Sequence, residues 1–268
     1  MTAKSGPQRI VCLTEETTEF LYLLGEQDRI VGISGYTVRP KIARRQKPRV
    51  SAFTSANIDK ILALEPDLVL GFSDLQAGIM TELVRAGLEV HVFNQRTVRG
   101  IFEMMAMLGG MIGAAQKADA LIAGLQRGLA DIARDAKRIS RRPKVYFEEW
   151  NDPLISGIGW VSDLIGIAGG EDCFPELAAE RAAKARIIAD PLEVVRRAPD
   201  IIIGSWCGKR FRPELVGARP GWGEIPAVRN GHVHEIKSAD ILQPGPAALT
   251  DGVRQLHAII CRWAETAA

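Results

Sequence analysis

Long apolar runs and paired cysteines are both missing from this sequence of 268 residues. No stretch of about 18 apolar residues could span a bilayer, and the N-terminal segment lacks the basic start and apolar run of a secretory signal. The four cysteines, Cys12, Cys173, Cys207 and Cys261, form neither a CxxC pair nor a zinc-type spacing. These absences favour reduced thiols in a cytoplasmic protein. A periplasmic location stays open if the chain is a trimmed mature form.

A strong net charge is also missing. The 34 basic and 32 acidic residues leave a formal charge of +2, so no overall field attracts nucleic acid or an anionic membrane. Residues 39–49 are locally basic but lack the interleaved aromatic residues of single-strand binding. A solvated surface loop is the simplest interpretation of this basic segment, and an anionic ligand group or a partner surface are alternatives. We expect no nucleic-acid partner.

The common catalytic signatures are absent too. The chain contains no GxxxxGK[ST], HExxH, GxSxG or strand-linked GxGxxG motif. His232 and His234 would share one face of a strand, but without a second cluster a surface pair is favoured over a metal site. Glu148 and Glu149 are successive on a predicted strand and so face opposite sides, which argues against a paired-carboxylate site. We expect no catalytic residue, metal ligand or catalytic cofactor. A two-lobed metal-dependent enzyme using Cys207 or the two histidines is a minor alternative.

Apolar residues follow two different periods along the chain. Short buried runs predict strands, which alternate with amphipathic helices and so imply parallel pairing in an α/β fold. The predicted strands cover residues 9–13, 30–33, 67–72, 89–93, 144–150, 200–206 and 232–236. Residues 113–140 lack proline and repeat apolar residues at steps of three and four, which predicts a helix roughly 40 Å long. Such a helix is longer than one small domain needs.

An internal repeat organises the chain. Residues 60–72 (KILALEPDLVLGF) and 193–205 (EVVRRAPDIIIGS) align without a gap at a constant offset of 133 residues. Each segment reads as a helix end, a Pro-Asp turn and a buried strand, although this connection is common enough to arise by chance. With the long helix, the repeat favours two similar lobes. We predict an N-terminal α/β lobe at 1–110, a bridging helix at 111–141 and a C-terminal α/β lobe at 142–268.

Aromatic residues make up only 6% of the chain, yet several fall where predicted strands end. The carboxyl edge of an open α/β sheet is where ligands bind. Each aromatic residue alone is more often part of a core, but together they suggest a broad apolar cleft for a large planar ligand. The set comprises Tyr36, Phe53, Phe72, Trp150, Trp160 and Trp206.

Several segments resemble a known family. They are RIVCLTEETTEFLYLLGEQDRIVGIS, NIDKILALEPDLVLGF, the AGG after Trp160, and PGWGEIPAVRNGHVHEI. Across residues 9–263 the chain is similar to the helical-backbone (class III) substrate-binding proteins of ATP-driven metal-chelate importers, and most of all to their cobalamin-binding members. The resemblance implies two Rossmann-like lobes joined by one long helix. It also implies non-catalytic binding of cobalamin or another corrinoid between the lobes, for uptake or intracellular handling. Another chelate, haem or an iron siderophore, is the alternative ligand.

The resemblance also implies which residues contact the ligand. Aromatic rings would cover the faces and edges of a corrin, while Arg39 and Asn151 would hydrogen-bond its amide side chains. No residue need ligate cobalt. The implied contacts are Tyr36, Arg39, Phe53, Phe72, Trp150, Asn151, Trp206 and Ile241.

Family members that dock on an importer permease carry one surface glutamate on each lobe. Asp59 keeps the charge at the first position, whereas Leu192 occupies the second and Glu193 lies beside it. An ABC importer permease is therefore one candidate partner, and Leu192 at the second docking position counts against it. A cytoplasmic carrier, store or sensor of corrinoids is the other interpretation.

Overall fold

The computed structural model describes residues 6–266. The chain divides into two compact units, the first formed by residues up to Gln95 with Arg99–Gly124, and the second by Arg96–Val98 with the chain from Leu125 onward. Each unit contains its own sheet. The predicted α/β class with two lobes and one long helix is confirmed. No helix of the described chain is long and apolar enough to cross a membrane.

The first unit is a doubly wound parallel sheet. Its strands are β1 (Ile10–Cys12), β2 (Ile30–Ser34), β3 (Arg49–Ser51), β4 (Leu68–Phe72) and β5 (Val90–Phe93). Its helices are α1 (Glu15–Leu23), α2 (Ala43–Gln46), α3 (Ile58–Leu62), α4 (Ala77–Arg85) and α5 (Val98–Met111), with 3-10 turns at Gln27–Arg29 and Asp74–Gln76. The strand order is β3-β2-β1-β4-β5. The strand order thus reverses between β1 and β4, and open sheets of this kind bind ligands at that point.

The long helix α6 (Ala115–Ala136) has 22 residues and is shorter than predicted. Gly113, with a φ of 68°, separates it from α5, since few other residues adopt that conformation easily. The boundary between the two compact units falls inside α6, between Gly124 and Leu125. The first half of α6 thus belongs to the first unit and the second half to the second unit. The predicted bounds instead treat residues 111–141 as a separate segment.

The second unit is a mixed sheet. Its strands are β6 (Lys144–Asn151), β7 (Leu154–Ser156), β8 (Glu171–Asp172), β9 (Ile201–Gly204) and β10 (Val233–Glu235). Its helices are α7 (Gly159–Ala168), α8 (Pro175–Ala178), α9 (Leu192–Arg197), α10 (Pro213–Gly217), α11 (Pro226–Arg229), α12 (Ser238–Ile241) and α13 (Val253–Thr266). The order is β10-β9-β6-β7, with β8 also paired to β6. Only β7 runs antiparallel to its neighbour. The strand order changes direction between β6 and β9, because the strands β7 and β8 pair with β6 and the later strand β10 pairs with β9.

The two repeated segments follow the same backbone path. The first leads from α3 into β4 and the second from α9 into β9. Equivalent residues, Glu65 and Ala198, adopt the left-handed conformation with φ of 44° and 50°, although neither is glycine. Each turns the chain out of its helix and into the Pro-Asp turn. Such a conformation persists only where surrounding contacts hold it.

The aspartate of each Pro-Asp turn anchors the central strand of its sheet. The Asp67 carboxylate accepts a hydrogen bond from the Arg9 N–H at 2.8 Å, directly before β1. The Asp200 carboxylate accepts one from the Lys144 N–H at 2.9 Å, at the start of β6. The backbone returns the contact, because the N–H groups of both aspartates donate to the carbonyls of the same two residues at 2.9 Å. The repeat therefore fixes where each central strand begins.

Candidate functional site

A buried amide ties together the strand ends of the first unit. The side chain of Gln76 accepts from the Phe72 N–H at 2.9 Å and donates to the carbonyls of Phe53 at 2.9 Å and Leu13 at 3.3 Å. Phe72 is nearly buried, with 7% of its surface exposed, whereas Phe53 is half-buried. Two predicted ligand contacts are thus linked to one rigid group. Sequence reasoning missed Gln76, which carried no pattern of its own.

Tyr36 and Arg39 follow β2 and differ in how they are held. Tyr36 is 53% exposed, so its ring is accessible. The Arg39 guanidinium donates from Nε to the Glu19 carboxylate on α1 at 2.8 Å. A carboxylate therefore already compensates the charge of Arg39, which leaves this arginine better suited to a neutral acceptor than to a bare anion.

Carboxyl groups are buried where α1 begins, immediately after β1. Glu15 and Glu16 are 7% and 1% exposed. Burial raises the pKa of the Glu16 carboxyl to about 8, against the opposing effect of a hydrogen bond from the Thr14 hydroxyl. Burial also raises the pKa of Glu15. Burial therefore favours the protonated form of Glu16. The signal that could have revealed this group is a pair of glutamates directly after a buried strand.

A buried carboxylate also lies at the corresponding edge of the second unit, but it is ion-paired. Glu148 is fully buried on β6 and accepts from Arg219 Nη1 and Nη2 at 2.6 and 2.8 Å. Trp206 Nε1 donates to the same carboxylate at 2.8 Å, and the Tyr146 hydroxyl donates at 3.1 Å. Burial and the neighbouring Glu148 raise the pKa of Tyr146, which keeps the phenol protonated. The orientation of Trp206, a predicted ligand contact, is thus set by a charged network.

Trp150 and Asn151 end β6. Trp150 is half-buried and donates from Nε1 to the Asp152 carbonyl at 2.8 Å. The Lys209 ammonium lies 4.3 Å from the centre of the Trp150 ring and 5.2 Å from that of Trp206. The Asn151 Oδ1 atom is buried without a hydrogen-bond partner among the described residues. Buried acceptors are normally satisfied, so this amide is a natural position for a ligand or water donor.

A cavity of about 480 Å³ adjoins Asn151 within the second unit. Its walls are mainly aliphatic, and Arg219 and Trp222 connect it to the network around Glu148. The Nε1 atom of Trp222 is another buried donor for which the described residues provide no acceptor. The lining residues are Asn151, Asp152, Pro153, Leu154, Ile187, Ile188, Ala189, Pro191, Leu192, Arg219, Pro220 and Trp222.

Ile241 and Trp160 are buried and not exposed to solvent. Trp160 Nε1 donates to the Ile241 carbonyl at 2.9 Å, and the two residues are 3% and 0% exposed. The Ile241 side chain therefore offers no surface to a ligand. The sequence predicts a direct ligand contact through Ile241. The buried side chain does not support that contact, because Ile241 ends α12 and packs inside the second unit.

The two predicted docking positions differ in their surroundings. Asp59 is exposed on α3. Glu193, on α9, accepts from Arg196 Nε at 2.8 Å and Arg197 Nε at 2.9 Å, and these hydrogen bonds lower its pKa. Leu192 beside it is 46% exposed. At its docking position the first unit thus has an exposed carboxylate, Asp59. The second unit has the apolar Leu192 and the carboxylate of Glu193, whose charge is compensated by two arginines.

The described chain contains no group of three or more His, Cys, Asp or Glu residues positioned to hold a metal ion. The His232 and His234 rings lie 6.2 Å apart at β10, an edge strand. Glu149 pairs with Arg186 at 2.6 Å, separately from the partners of Glu148. The adjacent glutamates therefore take part in different ion pairs.

Two α/β units are connected through one long helix, and aromatic residues lie where several of their strands end. The chain belongs to the periplasmic binding protein family, whose model matches residues 10–239. It is accordingly a binding protein and not an enzyme.

Named relatives match nearly the whole chain. An uncharacterized ABC transporter substrate-binding lipoprotein of Bacillus subtilis is 28% identical over 265 residues, spanning 96% of this chain and 81% of that protein. A cobalamin-binding protein of Halobacterium salinarum is 24% identical over 273 residues, spanning 96% of this chain and 71% of that protein.

Solved structures share the fold at low identity. A possible iron-binding protein from Staphylococcus epidermidis superposes with a TM-score of 0.81 at 20% identity, covering 96% of this chain and 99% of that one. The periplasmic vitamin B12 binding protein of Vibrio cholerae gives a TM-score of 0.77 at 21% identity, with 96% and 98% covered. A periplasmic haem-binding protein from Pseudomonas aeruginosa gives 0.79 at 22% identity, with 95% and 92% covered. These neighbours define the fold and leave the ligand open.

Proposed function

We propose that this protein binds cobalamin or a related corrinoid without catalysing a reaction on it, for uptake or intracellular handling. The observation that carries the proposal is the match over 96% of the chain to a cobalamin-binding protein of Halobacterium salinarum. The aromatic residues at the strand ends of both units support it, because a corrin presents broad apolar faces. The corrinoid is cargo and not a cofactor.

The proposed contacts divide by chemistry. Tyr36, Phe53 and Trp150 retain exposed ring surface for the corrin. Phe72 and Trp206, with 7% and 4% of their surface exposed, would contact the ligand only through ring edges unless a covering group moves. Arg39 and Asn151 are the polar contacts. The unpaired Oδ1 of Asn151 suits the N–H of a corrin acetamide or propionamide group.

Calorimetric titration with cyanocobalamin tests the proposal directly. We expect saturable 1:1 binding with a Kd in the micromolar range or tighter. Tyr36→Ala should weaken binding about tenfold, since an exposed ring is removed without disturbing the core. Leu215→Ala, which shortens an apolar residue 41% exposed on α10, serves as the matched control and should leave the Kd unchanged. Flat traces with correctly folded protein would disprove corrinoid binding.

A second candidate ligand class is an anionic chelate such as haem or an iron siderophore. The specific observation in its favour is the basic segment 39–49, in which Arg44 and Arg45 are exposed. Bound ligand raises apparent stability by mass action. A thermal-shift panel of cyanocobalamin, haemin and a ferric siderophore should therefore give the largest rise in Tm for the true ligand class. A larger rise with haemin than with cyanocobalamin would favour the alternative.

We also propose that the protein delivers its ligand to an ABC importer permease. The Bacillus subtilis relative is a substrate-binding lipoprotein of such a transporter. In this chain Asp59 is the proposed docking residue, while Glu193 is compensated by two arginines. Cell fractionation separates the roles: recovery outside the cytoplasm fits delivery to a permease. Recovery in the cytoplasm fits a carrier, store or sensor.

A further inference from the structure

Lys209 lies over the aromatic wall, by which we mean Trp150 and Trp206. Its ammonium nitrogen is 4.3 Å from the Trp150 ring centre and 5.2 Å from that of Trp206. Both distances are within the range in which a cation is attracted to an aromatic face. One charged side chain thus covers two rings that are predicted ligand contacts.

The backbone holds Lys209 in this place. The Lys209 N–H donates to the Trp206 carbonyl at 3.3 Å, which closes a four-residue turn. Gly208, at the third position of the turn, has a φ of 75°, as a type II turn requires. Lys209 follows Trp206 through a defined turn, which places its backbone close to the two rings.

Phe211 fixes the other side of the same loop. Its ring is 3% exposed and packs edge-on against Trp206, with ring centres 4.9 Å apart. It also fills the space above Gly204, where a Cβ atom would collide with the ring. Lys209 therefore lies between two residues, Trp206 and Phe211, that are both buried.

We propose that Lys209 is a specificity-determining residue for the ligand, an inference that rests on the proposed function. Its ammonium lies over the ring faces that a planar ligand needs. An uncharged planar ligand must displace the ammonium from the rings, and it offers the ammonium no ion-pair partner in return. A ligand that carries carboxylates at its edge displaces the same ammonium but pairs with it.

The proposal predicts effects of opposite sign for two ligands. Lys209→Met keeps an unbranched side chain of similar length but removes the charge. Binding of cyanocobalamin, which is uncharged overall, should become about fivefold tighter, because the competing cation–π contact is lost. Binding of haemin, which carries two propionates, should become about fivefold weaker, because the ion pair is lost.

The experiment is a titration of each ligand against the wild-type protein and three variants. Lys209→Arg keeps a cation over the rings and should retain the wild-type ratio of the two Kd values. Lys184→Met removes an exposed lysine of the same unit and should change neither Kd. Raising the salt concentration should weaken haemin binding to the wild type more than to Lys209→Met, because salt screens the ion pair.

Two results would overturn the assignment. If Lys209→Met leaves both affinities unchanged, or shifts them in the same direction, Lys209 does not select by charge, although corrinoid binding by the wild type would still stand. If the wild-type protein binds neither ligand, the proposed function fails and the role of Lys209 fails with it. Lys209 is exposed, so a folded variant is expected, and its Tm should match that of the wild type.

Discussion

The two repeated segments follow the same backbone path, but the side chains at the strand ends beyond them differ in chemistry. Glu65 and Ala198 have the same left-handed conformation, and Asp67 and Asp200 make the same contact with the first residues of the central strands. Sequence identity between the segments is limited, so the common path depends on the Pro-Asp turn and on apolar strand positions. The Pro-Asp turn and its contact with the start of the central strand thus recur in both units.

The strand ends differ because each unit buries a carboxyl group in its own way. In the first unit Glu16 avoids an uncompensated charge by keeping a proton, since burial raises its pKa to about 8. In the second unit Glu148 keeps its charge and is paired with Arg219. An ion pair needs a partner from elsewhere in the chain, here 71 residues away. Protonation needs only burial.

Removing the cation from the second unit should have the largest effect. Arg219→Ala leaves Glu148 buried beside Trp206 and Tyr146 without a counter-charge, and we expect a loss of about 4 kcal/mol in the free energy of unfolding. Urea denaturation followed by circular dichroism measures this loss. Arg212→Ala is the control, because its pair with Glu214 is exposed to solvent and should contribute far less to stability. A loss of similar size in both variants would show that the Glu148 pair has no special role.

The repeat also offers a matched pair of glycines, Gly71 on β4 and Gly204 on β9, at the same offset of 133 residues. An added Cβ at Gly204 would collide with the ring of Phe211, whereas at Gly71 it would meet the flexible end of Met80 and, less closely, the Oε1 atom of Gln76. We expect Gly204→Ala to cost about 3 kcal/mol and Gly71→Ala about 1 kcal/mol, because an aromatic ring cannot yield as methionine can. Thermal unfolding of both variants tests the difference. Equal losses would mean that the two sheets tolerate crowding alike.

Replacing the buried Glu16 carboxyl group of the first unit should change how stability depends on pH. A carboxyl group whose pKa is raised by folding stabilises the folded state fully below its unfolded pKa, and this stability is lost as pH rises through the folded value. For Glu16 that range runs from 4.5 to about 8. Glu16→Gln should therefore gain stability relative to the wild type as the pH rises to 9, and should show a flatter dependence between pH 5 and 9.

The control for Glu16 is Glu214→Gln, at an exposed carboxylate whose pKa is lowered by its hydrogen bond from Arg212. This variant should keep the wild-type decline in stability above pH 5. If Glu16→Gln declines with pH as steeply as the wild type, the buried proton does not reside on Glu16.

Much of the fold could be predicted because its signals are local. The strand expected at residues 67–72 is observed at Leu68–Phe72, and the helix expected at 113–140 is observed at Ala115–Ala136. The strand β3 was hidden in the basic segment, since only Val50 of its three residues is buried. The Pro-Asp turns were visible as a motif, whereas their left-handed residues, Glu65 and Ala198, are of types that give no such signal.

The side-chain networks at the strand ends could not be predicted for a different reason. Glu148 and Arg219 are distant in sequence, and nothing in the spacing of either residue indicates that they meet. The amide of Gln76 likewise joins Leu13, Phe53 and Phe72 only after the sheet has formed. The aromatic positions were predicted from strand ends, but their burial depends on neighbours such as Lys209 and Phe211.

For protein engineering, the position of the unit boundary inside α6 has a practical consequence. Insertions and fusions succeed at exposed loop tips, where the backbone makes few hydrogen bonds. Between Gly124 and Leu125 the chain is in the middle of a 22-residue helix, so a reporter domain placed at this boundary would interrupt continuous backbone hydrogen bonding. A biosensor built on this protein should carry its reporter in a surface loop of one unit, leaving the helical crossing intact.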